Sequence, residues 1–420
     1  MGLDAPVLIV LCILLALNAP LCLADGGSTM HLRITDKLKA STPVRLVGFG
    51  DSITGVYYHT GGRRAWPEML GLALGQLYPH AKIEASNAGQ SGDNTVGALK
   101  RLDREVLSRK PDLVVVMFGM NDVVAVAPEL YEANLRQIVE RCRTGGAEVI
   151  LGTPNAIIAD GTRPPDKLAE YAAIVRKVGE ERGAPVVDCH AAFEVVRRRD
   201  PVAFMKLMSD AIHPNMSGHK LFAEMIAEVI SGQRVSLDDT SPLLPGFPHT
   251  IQCLDAGQPL RVVAMPPYDE LIGPALRSLW PNARLTLERW ETAGQSLAQL
   301  EAAAQARGWM GLRDHPTLPK PDLVLIAVPS SAGAASTEDF WRRFTWVLNW
   351  SLSFGQAEWD AAAILPSVAQ PQLMATEQVN AALALEAVRA QDLPYLQRAQ
   401  GDETSPAKLL EQWLRAQVGR

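Results

Sequence analysis

The segment 112–118 (DLVVVMF) constrains the fold most, because six apolar residues follow Asp112 without interruption. A short, continuous apolar run of this kind is typical of a strand that is buried on both faces. Such strands occur mainly in parallel sheets that are covered by helices on each side. The run therefore predicts an α/β protein with a helix-covered parallel sheet.

Strand and helix signals alternate on either side of this run. Further short strands are predicted at residues 44–49, 82–85, 148–152 and 185–187. Helical periodicity is found between and after them, at residues 66–78, 96–108, 130–143, 167–182 and 217–230. This alternation implies a parallel sheet with helices on both faces, which makes three layers.

The alternating pattern stops at residues 237–250, which are rich in Pro, Asp, Ser and Thr and lack periodicity, as expected of a linker. Beyond this segment, four short segments of the first half recur in the same order. The matching pairs are residues 43–47 and 259–263, 77–81 and 279–283, 88–91 and 293–296, and 110–114 and 320–324. We infer a tandem duplication, with a first domain at residues 25–235, a linker at 236–258 and a second domain at 259–420.

The N-terminal segment predicts export. Residues 7–17 form an apolar run that is followed by Asn18-Ala19-Pro20 and Cys22-Leu23-Ala24, so that residues 1–24 read as a secretory signal with cleavage after Ala24. The expected location is therefore extracytoplasmic, either secreted or periplasmic. Asp4 and the lack of Lys or Arg before the run leave an uncleaved membrane anchor as an alternative, although the run is shorter than the ~20 residues of a spanning helix.

Charge and cysteine content argue against several classes of function. The formal net charge is −6 at pH 7, which gives no reason to expect a nucleic-acid partner. Outside the predicted signal, Cys142, Cys189 and Cys253 are odd in number and widely spaced, so they do not indicate a disulfide framework. No Cys/His group has zinc spacing, and neither a metal nor an organic cofactor is expected.

Four polar segments of the first domain lie at predicted strand ends or near the end of the domain. They are Gly50-Asp51-Ser52-Ile53-Thr54, Asn87-Ala88-Gly89-Gln90-Ser91-Gly92-Asp93, Gly119-Met120-Asn121-Asp122 and Asp210-Ala211-Ile212-His213-Pro214. In this order they resemble the four sequence blocks of the SGNH hydrolases, also called GDSL esterases. The resemblance covers about residues 43–232. It implies a serine esterase and, with the duplication, two tandem three-layer α/β/α domains of flavodoxin-like (SGNH) type with parallel central sheets.

The resemblance also implies a role for each block. Ser52 is the expected nucleophile, His213 the general base, and Asp210 the residue that orients the imidazole and stabilises its cation. Asp210 lies three residues before His213, so that one turn can bring its carboxylate to the ring. The expected oxyanion donors are the backbone amides of Ser52 and Gly92 and the side-chain amide of Asn121.

Three residues that follow the nucleophile loop, Tyr57, Tyr58 and His59, have two interpretations. They can line the pocket for the acyl or alcohol group of the substrate. They can equally pack beneath the loop, and the sequence alone leaves both alternatives open.

The second domain lacks the corresponding chemical groups. In place of Ser52, Gly92, Asn121 and His213 it has, respectively, Tyr268, Leu297, Ser331 and Ser405. Because the nucleophile and the base are both replaced, we expect residues 259–420 to form a degenerate, non-catalytic SGNH-like domain that packs on the first domain.

Tryptophan is concentrated in this second domain, which holds eight of the nine in the chain. Trp341, Trp346 and Trp350 are spaced so that they fall near one face of a helix. One interpretation is a core stripe or a surface that docks against the first domain. The other is a platform that binds sugars or acyl chains.

Together these features predict an exported carboxylic ester hydrolase that works through an acyl-enzyme. The expected partner is an ester substrate, either an acylated carbohydrate or a lipid. The lack of an extended apolar lid favours short acyl groups, such as acetyl on carbohydrate. The alternatives are a lysophospholipase- or thioesterase-type acylhydrolase, an acyltransferase, and a binding or scaffold protein with a vestigial site.

Overall fold

The computed structural model describes residues 31–159, 161–355 and 357–419. The predicted signal, residues 1–24, lies outside the described residues. Within those three ranges, no helix is both long enough and apolar enough to cross a membrane.

The first half of the chain forms a sheet of five parallel strands. These strands are β1 Val44–Gly50, β2 Ile83–Gly89, β3 Leu113–Met117, β4 Glu148–Gly152 and β5 Val186–Val187. Their order in the sheet is β2-β1-β3-β4-β5, and every neighbouring pair is parallel. All residues of β3 are buried, because it pairs with β1 and β4 at its edges and helices cover its faces. The apolar run thus has the central position expected of it.

Helices cover both faces of this sheet. They are α1 Arg33–Lys39, α2 Trp66–Leu77, α3 Thr95–Glu105, α4 Asp122–Ala125, α5 Pro128–Thr144, α6 Pro165–Arg182, α7 Cys189–Arg199, α8 Pro201–Lys206 and α9 Met216–Ser231. α2 packs against α9, whereas α5 packs against both α3 and α6. α5 and α6 begin two residues earlier than predicted, because a proline occupies the first turn, where its missing N–H has no cost.

The second half repeats this architecture. Its strands are β6 Leu260–Ala264, β7 Leu285–Arg289, β8 Leu323–Ile326, β9 Asp360–Ile364 and β10 Tyr395–Leu396. Their order is β7-β6-β8-β9-β10, which is the order of the first sheet, and again all pairs are parallel. The chain therefore has two tandem α/β domains, each with a parallel sheet and helices on both faces.

The helices of the second half repeat the packing of the first half as well. They are α10 Pro248–Asp255, α11 Tyr268–Leu279, α12 Leu297–Arg307, α13 Trp309–Asp314, α14 Thr337–Ser351, α15 Ala375–Ala390 and α16 Pro406–Val418. α11 packs against α16, as α2 does against α9. α14 packs against both α12 and α15, as α5 does against α3 and α6.

The predicted linker at residues 236–258 is partly wrong, because it contains α10, which packs against β6 and β9. The Asp360 carboxylate accepts hydrogen bonds from the N–H groups of His249 and Thr250, at 3.4 and 2.7 Å, and so caps this helix. Asp360 is more than a hundred residues away from this helix in sequence, so no local pattern indicated the cap. Leu237 and Phe247 are also buried.

The two halves contact each other directly, and from Arg33 onwards they belong to one compact unit. α14 lies against the 3₁₀ turn Tyr58–Thr60, and α9 lies against α15. Trp341 and Trp350 are buried and Trp346 is half-buried, which is the placement expected of a core and docking stripe.

Candidate active site

Ser52 lies two residues beyond the carboxyl end of β1. The turn around it is closed by the N–H groups of Thr54 and Gly55, which both donate to the carbonyl oxygen of Asp51 at 3.1 Å. Glycine is required at position 50, because a Cβ there would lie 2.4 Å from the carbonyl oxygen of Met117. This turn holds Ser52 outside the strand ends, where parallel α/β sheets bind their ligands.

Ser52, His213 and Asp210 form one continuous hydrogen-bonded relay. The Oγ of Ser52 lies 2.9 Å from Nε2 of His213, and Nδ1 of His213 lies 2.8 Å from Oδ2 of Asp210. The side chains of His213 and Asp210 are 14% and 9% exposed, so the relay is shielded but reachable. With a proton on Nδ1, the imidazole can accept the Ser52 proton at Nε2, which is the arrangement of a serine nucleophile with its base.

The electrostatics of this relay favour a charged pair. Burial alone would raise the pKa of Asp210, but the His213 imidazole and the hydrogen bonds from His213 and Ile212 outweigh it and hold that pKa far below its ordinary value. Burial would likewise lower the pKa of His213, but the Asp210 carboxylate, with a smaller contribution from Asp51, raises it above its ordinary value despite the opposing charge of Arg163. The site therefore stabilises an imidazolium next to a carboxylate.

A helix cap holds the segment that follows His213. The Nδ2 of Asn215 donates to the carbonyl oxygen of Lys206 at 2.7 Å. Its Oδ1 accepts the N–H groups of Ser217 and Gly218, which start α9. Asparagine is a favoured residue at this position, since it satisfies amides that have no partner within the helix. The cap thus ties the histidine loop to a packed helix.

The three expected oxyanion donors lie at the carboxyl ends of neighbouring strands. Gly92 has a φ of +74°, a conformation that suits glycine, in the loop after β2. The Nδ2 of Asn121 donates one hydrogen to the carbonyl oxygen of Asp93 at 2.9 Å, which ties the side chain to that loop. The second hydrogen on Nδ2 can still be donated to an oxyanion. Among the described residues, the backbone amides of Ser52 and Gly92 have no hydrogen-bond acceptor.

Tyr58 and His59 lie beneath the nucleophile loop, as in the second of the two interpretations. The hydroxyl of Tyr58 donates to Oδ2 of Asp210 at 2.8 Å, and the residue is only 7% exposed. His59 is fully buried, and its ring stacks on His213 with centroids 4.7 Å apart. Both side chains therefore support Asp210 and His213 from behind, and their burial favours the second interpretation over the substrate pocket.

Tyr57 remains half-buried at the edge of the loop. Its hydroxyl accepts the backbone N–H of Ser91 at 2.8 Å, which links it to the loop of Gly92. Its ring lies 5.3 Å from that of Phe354 in the second half of the chain. Of Tyr57, Tyr58 and His59, Tyr57 is therefore the most exposed.

Arg101 is a functional candidate that the sequence did not indicate. It is buried on α3, where its Nε donates to Asp93 at 2.7 Å. Its other nitrogens donate to the carbonyl oxygens of Ala88 and Gly50, at 2.7 and 2.8 Å. A single guanidinium thereby joins the ends of β1 and β2 to the loop of Gly92. No local motif predicts this role, since the carbonyl partners come from two different strands.

The corresponding strand ends of the second half lack such a relay. Tyr268 and Leu297 are buried, and Ser331 and Ser405 are exposed, Ser405 being the N-cap of α16. Only His249 and His315 occur after residue 232. His249 precedes β6 and therefore lies at the opposite end of the sheet.

Among the described residues, one group of side chains could hold a metal ion, and it lies in the second half. The ligand atoms of His249, Cys253 and Asp322 are within 4.8 Å of one another, a proximity that the sequence did not suggest. His249 and Asp322 also form a hydrogen-bonded pair at 2.9 Å. Lys37 and Asp112 pair in the matching position of the first half, which indicates a structural role for both pairs. None of these residues contacts the relay.

Comparison with known proteins gives matches to ester-cleaving enzymes. A model of the GDSL-like Lipase/Acylhydrolase family matches residues 49–221, which include all four polar segments. An acetylxylan esterase of Geobacillus stearothermophilus is 33% identical over 214 residues, which cover 44% of this chain and 93% of that protein. The thioesterase 1/protease 1/lysophospholipase L1 of Escherichia coli K12 is 25% identical over 191 residues, or 45% of this chain and 85% of that protein.

A likeness to a solved structure was also found. The lipase/acylhydrolase of Enterococcus faecalis aligns with a TM-score of 0.39 and 27% identity, and covers 46% of this chain and 97% of its own.

Proposed function

Because this chain belongs to the GDSL-like lipase/acylhydrolase family and is a carboxylic ester hydrolase, we propose that it cleaves short-chain esters of carbohydrates through an acyl-enzyme on Ser52. The observation that supports this most directly is the relay from Ser52 Oγ through His213 to Asp210, with contacts of 2.9 and 2.8 Å. The acetylxylan esterase relative supports acetyl as the acyl group and a xylan-type sugar as the alcohol.

The first half-reaction forms the acyl-enzyme. Ser52 Oγ attacks the ester carbonyl carbon while its proton passes to Nε2 of His213. The negative charge on the carbonyl oxygen is stabilised by the amides of Ser52 and Gly92 and by the side chain of Asn121. The bond to the alkoxy group then breaks, and the departing sugar oxygen takes the proton from His213.

The second half-reaction releases the acid. A water molecule donates its proton to Nε2 of His213 and attacks the acyl carbon. The bond to Ser52 breaks, Ser52 recovers the proton from His213, and the carboxylic acid leaves. Asp210 stays ionised throughout, which agrees with the direction of its pKa shift.

The second half of the chain, residues 259–420, is proposed to be a non-catalytic copy of the first domain. The identical strand order and helix pairing of the two halves support a common origin. Replacement of the nucleophile and the base by Tyr268 and Ser405 supports the loss of chemistry.

Export is also part of the proposal. The apolar run at residues 7–17 and the segment Cys22-Leu23-Ala24 that follows it support a cleaved secretory signal. The test is expression of the full chain in a host with a secretion pathway, followed by N-terminal sequencing of the extracytoplasmic protein. A mature N-terminus after Ala24 is expected, and retention of residues 1–24 would contradict cleavage.

The activity is tested with p-nitrophenyl acetate, butyrate and octanoate and with an acetylated xylo-oligosaccharide. Ser52→Ala is expected to lower kcat by at least about 10³-fold on every substrate. The matched control is Ser91→Ala, because Ser91 makes its contact to Tyr57 through the backbone N–H. Equal rates for wild type and Ser52→Ala would refute the mechanism. Hydrolysis of octanoyl but not acetyl esters would refute the proposed preference for short acyl groups.

A further inference from the structure

The turn that contains Asp210 and His213 is held from the second half of the chain. Ser209, the residue before Asp210, is buried. Its carbonyl oxygen accepts a hydrogen bond from Asn349 Nδ2 at 3.2 Å. Its Oγ donates to Oδ1 of Asn349 at 3.2 Å and accepts from Nε2 of Gln391 at 3.0 Å. Asn349 and Gln391 are both fully buried, so two side chains of the second half fix the start of this turn.

A displacement of Ser209 would move the whole turn. The N–H of Ser209 donates to the carbonyl oxygen of His213 at 2.8 Å, so the first and last residues of the turn are joined. The Oδ1 of Asp210 accepts the N–H groups of Ile212 and His213, at 2.9 and 2.8 Å. The five residues thus form one closed unit, and its position relative to Ser52 depends on what holds Ser209.

A second contact between the halves reaches Asp210 through Tyr58. The Tyr58 hydroxyl donates to Oδ2 of Asp210, the oxygen that also contacts Nδ1 of His213. Its ring stacks on Trp309, with centroids 5.3 Å apart and an angle of 23°. It also stacks on Trp346 of α14, at 6.2 Å and 28°. Aromatic residues of the second half thereby set the position of the hydroxyl that binds Asp210.

The two contacts hold neighbouring residues of one turn, Ser209 and Asp210, which ordinary packing between domains does not require. Buried amides such as those of Asn349 and Gln391 are costly unless they are hydrogen-bonded, and their bonds are directional. Here they are directed at the residue that precedes Asp210, while Tyr58 binds Asp210 itself. The contact between the halves therefore determines the geometry of the relay as well as the cohesion of the fold.

We propose that the second half of the chain completes the active site, with Asn349 and Tyr58 as positioning residues that hold the Asp210–His213 turn in register with Ser52. This inference rests on the proposed role of the relay in ester hydrolysis. A catalytic group displaced by about 1 Å can lose about 10²-fold in rate. A domain without chemistry of its own would then be required for the chemistry of its neighbour.

The first test is Asn349→Ala, measured on p-nitrophenyl acetate. We expect kcat to fall about 10- to 100-fold with KM nearly unchanged, because Asn349 is placed to hold the turn and not to contact substrate. The acid limb of the kcat/KM profile is expected to move to lower pH, because a looser Asp210 stabilises the His213 cation less. The matched control is Ser351→Ala on the same helix, whose buried Oγ bonds only to the carbonyl oxygen of Val347 within the helix.

Tyr58→Phe is the second test and predicts a shift of the opposite sign. Removal of the hydroxyl takes one donor from Oδ2 of Asp210 and leaves more of its charge for His213. We expect kcat to fall while the acid limb moves to higher pH. If Asn349→Ala and Tyr58→Phe only destabilised the fold, they would not shift the acid limb in opposite directions.

Folding is followed by thermal unfolding of each variant. If Asn349→Ala does not unfold cooperatively, Ser209→Ala is used in its place. Ser209→Ala removes the hydrogen bonds of the Ser209 Oγ to Asn349 and Gln391. It is expected to lower kcat in the same way and to move the acid limb to lower pH. The inference is overturned if the folded variants match Ser351→Ala in kcat and in pH profile. Failure of the proposed function is a different result, namely wild-type activity that Ser52→Ala leaves unchanged.

Discussion

At the residue scale, the surroundings of His213 determine how the site responds to pH. Burial would lower the pKa of His213, and Arg163 acts in the same direction, but Asp210 and Asp51 raise this pKa above its ordinary value. The neighbouring imidazoles stay neutral, because burial and the charge of His213 lower the pKa of His219 to about 3 and that of His59 well below its ordinary value. Of these three stacked or adjacent rings, His213 is therefore the one whose cation the site favours, as the proposed mechanism requires.

The pH dependence of activity follows from this direction. His213 acts as a base only when neutral, and a raised pKa keeps it protonated to higher pH than an ordinary histidine. Activity is therefore expected to be full in alkaline solution and to be lost as pH falls through the raised pKa, above the ordinary histidine value of about 6.5. The measurement is kcat/KM for p-nitrophenyl acetate against pH, and an acid limb below the ordinary histidine value would contradict the assignment.

At the scale of elements, Arg101 of α3 joins the strand ends on which the site is built. The buried pair with Asp93 and the bonds to the carbonyl oxygens of Gly50 and Ala88 leave few free donors on the guanidinium. Loss of one member of a buried pair leaves the other charge without compensation, which is the costly case.

Arg101→Met is expected to lower the free energy of unfolding by about 3–5 kcal/mol, since Asp93 and two carbonyl oxygens lose their partner. Urea denaturation measures this change. Arg104→Met is the control, because Arg104 lies on the same helix but is largely exposed. Equal stabilities of the two variants would show that the Arg101 network is not structural.

The elements also show how far the sequence could predict this structure. Ser52, Gly92 and Asn121 could be placed from sequence, because each follows a predicted strand and parallel strands end at one edge of the sheet. The contacts that hold the Asp210–His213 turn could not be predicted from the sequence. Tyr58 and Asn349 bind this turn across 152 and 140 residues, and no local pattern indicates either contact.

The helices of the first half that were not predicted are α1, α4, α7 and α8. α7 and α8 begin behind Asp188 and Asp200, whose carboxylates cap them. α8 has only six residues, fewer than two helical turns, so it shows almost no periodicity in the sequence. α7 and α8 lie directly before the Asp210 turn, so the path of the chain into that turn was not predicted.

At the scale of the whole molecule, the two halves are joined by a buried ion pair. Arg64 Nε and Nη2 bind the two carboxylate oxygens of Asp392 at 2.6 and 2.8 Å, and both side chains are almost fully buried. Burial nevertheless raises the pKa of Asp392, since desolvation outweighs the contact with Arg64. A buried pair of this kind adds little net stability, whereas the loss of one partner is costly.

Asp392→Asn is expected to destabilise the protein by about 3–5 kcal/mol, because it leaves the Arg64 charge buried without a counter-ion. Glu386→Gln is the control, since it breaks the more exposed pair with Lys206 in the same contact region and is expected to cost under about 1 kcal/mol. Both are measured by urea denaturation with a probe in each half. Unchanged stability of Asp392→Asn would argue against a contribution of this pair to the assembly of the two halves.

The whole molecule thus combines a relay in one half with supporting contacts from the other, and the central claim is that Ser52 is the nucleophile. The most direct measurement is mass spectrometry of the protein quenched in acid during turnover of p-nitrophenyl acetate, followed by peptide mapping. We predict one acetyl group on Ser52 in the wild type and none in Ser52→Ala. An acyl group on another residue, or ester hydrolysis by Ser52→Ala at the wild-type rate, would contradict the mechanism.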